Sequence, residues 1–523
     1  MGKFFEKVSI PEVGENKEEK REKRKVDGKV LFWALAVFAF AFLPRLIALF
    51  KVVAPESPGW YDDTFHHWQI AYLSQTVGFK QSFLRLWDLK GMEYFWGLLH
   101  PLSLVGLFKL TGSTSILVPR FLSLFSGCLA IVFLFFLLWR YFNLGAALGS
   151  VVWISLMPVM IYADTAGLQE PLALALIFGA LLFWPKGPVL TGLLISLAGM
   201  IRAEYWLFGT GLFAASFFAK EKSDHKVLLG VGWLIPTLLY VKYLLDHTGN
   251  AIYPIYWNFL ASVKGEWFAD VPLPPGGLET QYIARVIFTF GVIGALLVFF
   301  KKIRPYFLFL FGFSNILFIG FMLGFGAYIK GYLPRFWLDR LFAWPYSFGG
   351  ILIAVFFLSW LPRKFRAPAL AKIFGWLIIL VGLAISQLTW LPIERLAEAS
   401  QHRYLAEKEF AEKTADFYQG GTILIPEDRP PFVYYLVHDY GISGERLLGQ
   451  MFDPFYYFEE DPFSDWSEYR LRIIDWLAKS DVRLIVVYTE RERYQNLIKK
   501  EPGIFSYLGV IGPGIEVYGV KPS

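Results

Sequence analysis

The chain has almost no cysteine. Cys128 is the single one, and it sits within an apolar run. A disulfide framework and a thiolate-metal site are both excluded, which leaves this residue as small core filler. No glycine-rich phosphate loop and no dinucleotide fingerprint occur anywhere, so no segment reads as a nucleotide site. The formal charge of +6 does not point to nucleic acid, because the basic residues lie in short loops between apolar runs and report membrane topology instead. Beyond Trp390 no apolar run is long enough to cross a bilayer.

What is abundant is apolar and aromatic. Of 523 residues, 55% are hydrophobic and 19% aromatic, a composition suited to a polytopic membrane protein. A spanning helix takes roughly 20 mostly apolar residues, and "VLFWALAVFAFAFLPRLIALF" (30–50) meets that demand. Residues 1–29 end in "KEEKREKRKVDGK" and are followed by no small-residue cleavage site. They read as a solvated cytoplasmic tail rather than a signal peptide.

With that tail inside, the first span exits near Lys51, and residues 52–114 form a long external loop. Its apolar stretch 94–110 is short and contains Pro101. That predicts a helix lying in the interface, or a re-entrant one, rather than a crossing. If it did cross, every later basic loop would face outward, against the positive-inside rule. The remaining spans are predicted over 115–139, 144–161, 168–184, a pair of short helices within 188–219, 226–245, 283–300, 306–328, 341–360 and 371–391. The total is about eleven, with the Lys220–Lys226, Lys301–Arg304 and Arg363–Lys372 loops inside. The expected fold class is therefore a polytopic α-helical membrane protein, a transmembrane domain over 30–396. Residues 397–523 follow as a small extracytoplasmic α/β domain. There "TILIPED", "VRLIVVYTE" and "GIEVYGV" read as buried strands, and "WSEYRLRIIDWLAKS" as an amphipathic helix.

On this topology the ionisable residues gather at the outer surface: Asp62, Asp63, His66, His67, Asp164, Glu170, Arg202, Glu204, Lys330, Arg335, Asp339 and Arg340. Charge at membrane depth is costly and by default marks a site, although single interfacial charges also snorkel into water. In "YDDTFHHW" one aspartate would serve as a helix N-cap, but two exceed that need. A helix starting here makes Asp62–His66 and Asp63–His67 i,i+4 pairs. Acid beside imidazole at a low-dielectric boundary suits general-base work or ligation of a divalent cation. Asp164 in "YADTAGLQEP" is a second acidic position, or a cap. Arg202 and Glu204 in "GMIRAEYWL" form either a site or an internal ion pair. Arg335 and Arg340 in "YLPRFWLDRLFAWP" suit a lipid phosphate by bidentate bonds, or anchor the interface beside Trp337 and Trp344.

Taken in order, these segments resemble the GT-C class of polyprenyl-phosphate-sugar-dependent glycosyltransferases, the group of protein O-mannosyltransferases and aminoarabinose transferases. The likeness covers nearly the whole chain. It rests on the acidic pair in the first external loop, the "LLHPL" helix, "VPRFLSLFSGCLAIVFLFFLLWRYF", "GLLISLAGMIRAEYWLF" and "LPRFWLDRLFAWPYSFGGIL". The resemblance implies a multi-pass protein of the plasma membrane and a donor sugar, a mannose-like hexose or a pentose, carried on polyprenyl or dolichyl monophosphate. The acceptor would be a hydroxyl of a protein, glycan or lipid on the extracytoplasmic side, where cytosolic nucleotide-sugars are out of reach. By analogy Asp62 is the general base and Asp63 the second candidate. Arg335, Arg340 and Arg202 would bind the lipid phosphate, while His66, His67, Asp164 and Glu170 would contact acceptor or metal. "DDTFHH" also resembles the acid-acid-His segment of oligosaccharyltransferases, so a divalent cation, Mg or Mn, stays open. Their Trp-Trp-Asp-Tyr-Gly signature is absent, which disfavours en bloc oligosaccharide transfer to asparagine. Other readings are a lipid-linked glycan ligase or polymerase, which would want more basic residues in the external loop, and a transporter, which would want paired repeats.

Overall fold

The computed structural model describes residues 28–53, 63–76, 97–184, 186–202, 205–206, 209, 223–256, 350–364, 367–425, 429–449, 466–488 and 492–521. The chain divides into two compact units: Met1–Val53 with Arg120–Glu394, and Ala54–Pro119 with Arg395–Ser523.

The described part of the first unit is helical. Helix α1 (Gly28–Lys51) leads to the second unit's α2 (Asp63–Thr76) and α3 (Leu99–Thr111), and then α4 (Leu117–Tyr141) begins. After it come α5 (Leu144–Leu156), α6 (Pro158–Thr165), α7 (Glu170–Phe183), α8 (Pro188–Gly199) and α9 (Ser223–Thr248). The last two of the unit are α10 (Gly350–Arg363) and α11 (Pro368–Ser386). Among the described residues α1, α4, α9 and α11 are long and apolar enough to span, and α5 with α6 makes a fifth, bent by 65°. The expected spans over 283–300 and 306–328 lie outside the described residues.

Bare leucine, isoleucine and phenylalanine on α1 (Phe32, Leu35, Leu43, Phe50), α9 (Leu234, Ile235, Leu239) and α11 (Ile373, Leu377, Leu380) mark lipid-facing surface. A helix, with its backbone bonds internal, can present such a face to hydrocarbon. The bend between α5 and α6 falls at Pro158, which has no N–H to donate.

Glycine lets these helices approach closely. A Cβ on Gly192 of α8 would sit 2.4 Å from the Leu229 carbonyl oxygen. One on Gly232 of α9 would sit 2.2 Å from that of Val189. The two helices therefore meet backbone to backbone, the close crossing that small residues permit in membranes. In α10 the stretch Phe356–Trp360 is π-helical, and the Leu358 carbonyl accepts a 3.0 Å bond from the Asn143 amide. Asn143 also caps α5, its Oδ1 accepting from the Ala146 N–H at 2.8 Å.

The second unit joins α2 and α3 to the C-terminal portion. Helix α12 (Trp390–Phe417) crosses into it from the first unit at Arg395. Then follow β1 (Thr422–Ile425), α13 (Pro430–His438), β2 (Leu447–Gly449), α14 (Trp466–Lys479), β3 (Val482–Tyr488), α15 (Glu492–Lys500), β4 (Phe505–Gly512) and β5 (Ile515–Val520). The sheet order is β2-β1-β3-β5-β4. β2, β1 and β3 run parallel, while β5 is antiparallel to both β3 and β4. Leu424, Ile485, Val487, Ile473 and Leu477 fill its core. The three strand-like stretches of the sequence fall on β1, β3 and β5. β2 and β4 were not expected, because one is very short and the other is interrupted by Gly509.

Candidate active site

Helix α2 opens on Asp63, which is half-buried. An acid in the first turn complements the partial positive charge of a helix N-terminus. Ten of its 14 residues are buried, so this is no surface helix. Phe65 packs against the rings of Tyr404, Tyr434 and Tyr435 at 5.3–6.3 Å. Trp68 stacks on Tyr72 and donates its indole N–H to the Thr114 carbonyl at 2.5 Å. The Tyr72 hydroxyl accepts the Gly444 N–H at 3.3 Å, and burial pushes its phenol above the usual range. Segments more than 300 residues apart in sequence thus fix the helix that carries the acid-histidine motif.

The two histidines differ. His66 is half-buried. His67 is fully buried against His100 of α3, with ring centroids 4.6 Å apart and planes at 68°. One turn beyond His66, Gln69 is fully buried with neither amide atom hydrogen-bonded. Uncharged and set among apolar residues, it gave no sequence signal. Asp62, Arg335 and Arg340 lie outside the described residues.

In the first unit Asp164 sits on α6 and is buried against Arg45 of α1. Both Nε and Nη2 of Arg45 lie 2.7 Å from Oδ2. Arg45 Nη1 also donates to the carbonyls of Ala41 at 2.9 Å and Ser155 at 3.3 Å. Gly127 of α4 backs the carboxylate, since a Cβ there would come 2.4 Å from its carbon. Arg45 was missed as a site residue, yet its signal was available: an arginine inside an apolar run needs a partner.

Glu170 is the first residue of α7, and its Oε1 lies 2.8 Å from Arg202 Nη1, with 15% and 13% of the side chains exposed. Arg202 follows the end of α8. Its described partner is thus Glu170, from another helix, and Glu204 lies outside the described residues. The turn between α6 and α7 is itself pinned, Ser123 donating to the Leu168 carbonyl. Among the described residues no three His, Cys, Asp or Glu side chains form a group able to hold a metal ion.

No family model and no curated protein matches the chain. Solved structures do. ArnT from Cupriavidus metallidurans bound to undecaprenyl phosphate aligns over 94% of this chain and 98% of its own, with 13% identity and a TM-score of 0.50. The archaeal oligosaccharyltransferase AglB from Archaeoglobus fulgidus, in complex with an inhibitory peptide and a dolichol-phosphate, aligns over 94% and 74%, with 14% identity and a TM-score of 0.46. The arabinofuranosyltransferase AftD from Mycobacteria aligns over 94% and 40%, with 15% identity and a TM-score of 0.45. These structural neighbours are GT-C glycosyltransferases. The likeness to ArnT gives this membrane protein the GT-C fold.

Proposed function

We propose that the protein is an inverting glycosyltransferase. It moves one sugar from a polyprenyl or dolichyl monophosphate to an acceptor hydroxyl on the extracytoplasmic side of the plasma membrane. The observation that carries this reading is a GT-C fold whose first loop supplies a buried helix opening on an acid, Asp63. The ArnT structure that shares the fold holds undecaprenyl phosphate, the lipid such a donor would leave behind.

The chemistry asks little of the protein beyond a base and cations. Asp62 takes the acceptor proton, with Asp63 as the second candidate. The acceptor oxygen forms a bond to the anomeric carbon as the bond from that carbon to the phosphate oxygen breaks. Lipid phosphate leaves with the electron pair, so the configuration inverts. Phosphate is a good leaving group and needs no acid. The remaining demand is for positive charge on the departing oxygens, assigned to Arg335, Arg340 and Arg202. Glu170 orients Arg202 through their ion pair, and His66 faces the acceptor or a metal. His67 and Asp164 have buried contacts of their own and would shape the site rather than touch substrate.

The test is purified protein with a polyprenyl-phosphate-linked radiolabelled sugar in vesicles. Release of polyprenyl phosphate, with the sugar's anomeric configuration inverted, is expected. A retained configuration, or transfer only from pyrophosphate-linked donors, would overturn the proposal. Turnover that is lost to a chelator and restored by Mg or Mn would bring a metal into the mechanism.

A further inference from the structure

Gln169 carries an amide that is closed off from water and unpaired. The residue is fully buried, and among the described residues neither its amide oxygen nor its amide nitrogen has a hydrogen-bond partner. It stands at the N-cap of α7, yet its side chain makes no capping bond. A buried polar group in this state has given up its bonds to water and gained none in return. Such a group in a folded protein calls for an explanation, since a methionine of similar length would fill the space without that cost. The backbone around it is no loose end. Gly167 takes a φ of +74°, Ser123 of α4 donates to the Leu168 carbonyl, and the Ala173 N–H donates to the carbonyl of Gln169 itself at 3.3 Å.

The surface opens at the next residue. Ala166 and Leu168 are fully buried, but Glu170 keeps 15% of its side chain exposed and its partner Arg202 13%. Adjacent Cα atoms are about 3.8 Å apart, so the unpaired amide and the carboxylate that orients Arg202 are rooted side by side. The chemistry of an amide then selects among the parts of a lipid-linked sugar. A phosphate accepts hydrogen bonds only, so the amide oxygen has nothing to offer it and the Arg202 guanidinium serves it better. An isoprenoid tail bonds to nothing polar. A sugar hydroxyl both donates and accepts, as the amide does. We infer, on the glycosyltransferase reading above with Arg202 on the lipid phosphate, that Gln169 reads a hydroxyl of the donor sugar. Its amide turns toward the Glu170–Arg202 opening as the sugar enters, by a change of rotamer in one unbranched side chain. The substrate-free protein thus holds a polar group that only the sugar-bearing lipid pairs. Specificity follows, because a wrong or missing sugar leaves that bond unmade.

The experiment compares the wild type with Gln169→Met, both full-length and in detergent micelles. Thermal unfolding without lipid comes first. The variant should unfold at the wild-type temperature or above, because it loses no bond. A lower midpoint, or failure to fold, would give the amide a structural partner and overturn the inference. Binding is then titrated by tryptophan fluorescence with polyprenyl monophosphate and with polyprenyl-phosphate-linked mannose, glucose and arabinose. The wild type should hold one of the three sugar-lipids roughly tenfold more tightly than the bare monophosphate, the worth of about one hydrogen bond. Gln169→Met should erase that preference and keep the monophosphate affinity. A preference that survives in the variant sinks the role of Gln169 and leaves the glycosyltransferase reading standing, as does a wild type that holds all four lipids alike. Equal weakening of all four in the variant would put the amide on the phosphate instead, against the inference. A wild type that binds none of them ends both readings.

Discussion

Arg45 and Asp164, 119 residues apart, form an ion pair buried from solvent, with two guanidinium nitrogens converging on one carboxylate oxygen at 2.7 Å. The pair ties the first span to the bent one. In low dielectric such a pair is costly to break, because removing one partner strands the other charge.

Asp164→Asn or Arg45→Met alone should therefore lower stability by roughly 3–5 kcal/mol, seen as a lower midpoint of thermal unfolding in detergent. The double replacement Arg45→Met with Asp164→Leu should recover most of that loss, because no charge is left unpaired. If each single variant unfolds at the wild-type temperature, the pair is not structural.

The α8–α9 crossing makes a second prediction. Gly232→Ala drives a methyl into the Val189 carbonyl, and backbone cannot yield as a flexible side chain can. Overpacking of this kind costs about 1–3 kcal/mol or more, again read from thermal unfolding. Gly106→Ala, which meets open space, should leave the midpoint unchanged or raise it slightly.

In the second unit Arg429 acts as a clamp. Its Nη2 lies 2.8 Å from Glu407 and its Nη1 donates to the Tyr488 hydroxyl at 2.6 Å. Its guanidinium also lies over the rings of Phe410 and Tyr488 at 5.5 and 5.1 Å. It joins α12, the start of α13 and the end of β3. Arg429→Leu should cost roughly 3 kcal/mol by stranding the buried Glu407, and speed amide exchange in β1 and α13. Arg429→Lys should rescue only part, since an ammonium keeps the charge but loses the planar fork.

The proposed chemistry predicts a division of labour. Asp62→Asn should reduce turnover by about 10²- to 10⁴-fold, the usual worth of a general base, with folding intact. If Asp63→Asn is the inactive variant instead, the base moves by one position; full activity in both would end the mechanism. Arg202→Gln should lower kcat, because the charge it stabilises develops only as the phosphate departs. A fall in unfolding temperature for both Arg202→Gln and Glu170→Gln, with kcat unchanged, would make their ion pair structural only.

Much of the fold was legible from the residues. The runs around 30–50, 115–139, 226–245 and 371–391 became helices long enough to span, because bilayer thickness fixes the length of apolar sequence each needs. "TAGLQEP" and "GMIRAEYW" were legible as breaks. The site was legible only in part. His67 reads as a contact to acceptor or metal in the sequence, and the structure sets it against His100. Glu204 looks like the partner of Arg202, yet Glu170 fills that role in the described structure. Arg45 and Gln69 carry their polarity inside apolar stretches.

The sequence by itself determined which of the described runs are long and apolar enough to cross a bilayer, because hydropathy is a local property summed along a short run. It also determined the order of charged segments that resembles the GT-C class. Only the tertiary structure decided that Asp164 belongs to Arg45 and that residues 54–119 fold with 395–523. Those pairings depend on how distant helices cross, and no local pattern encodes a crossing.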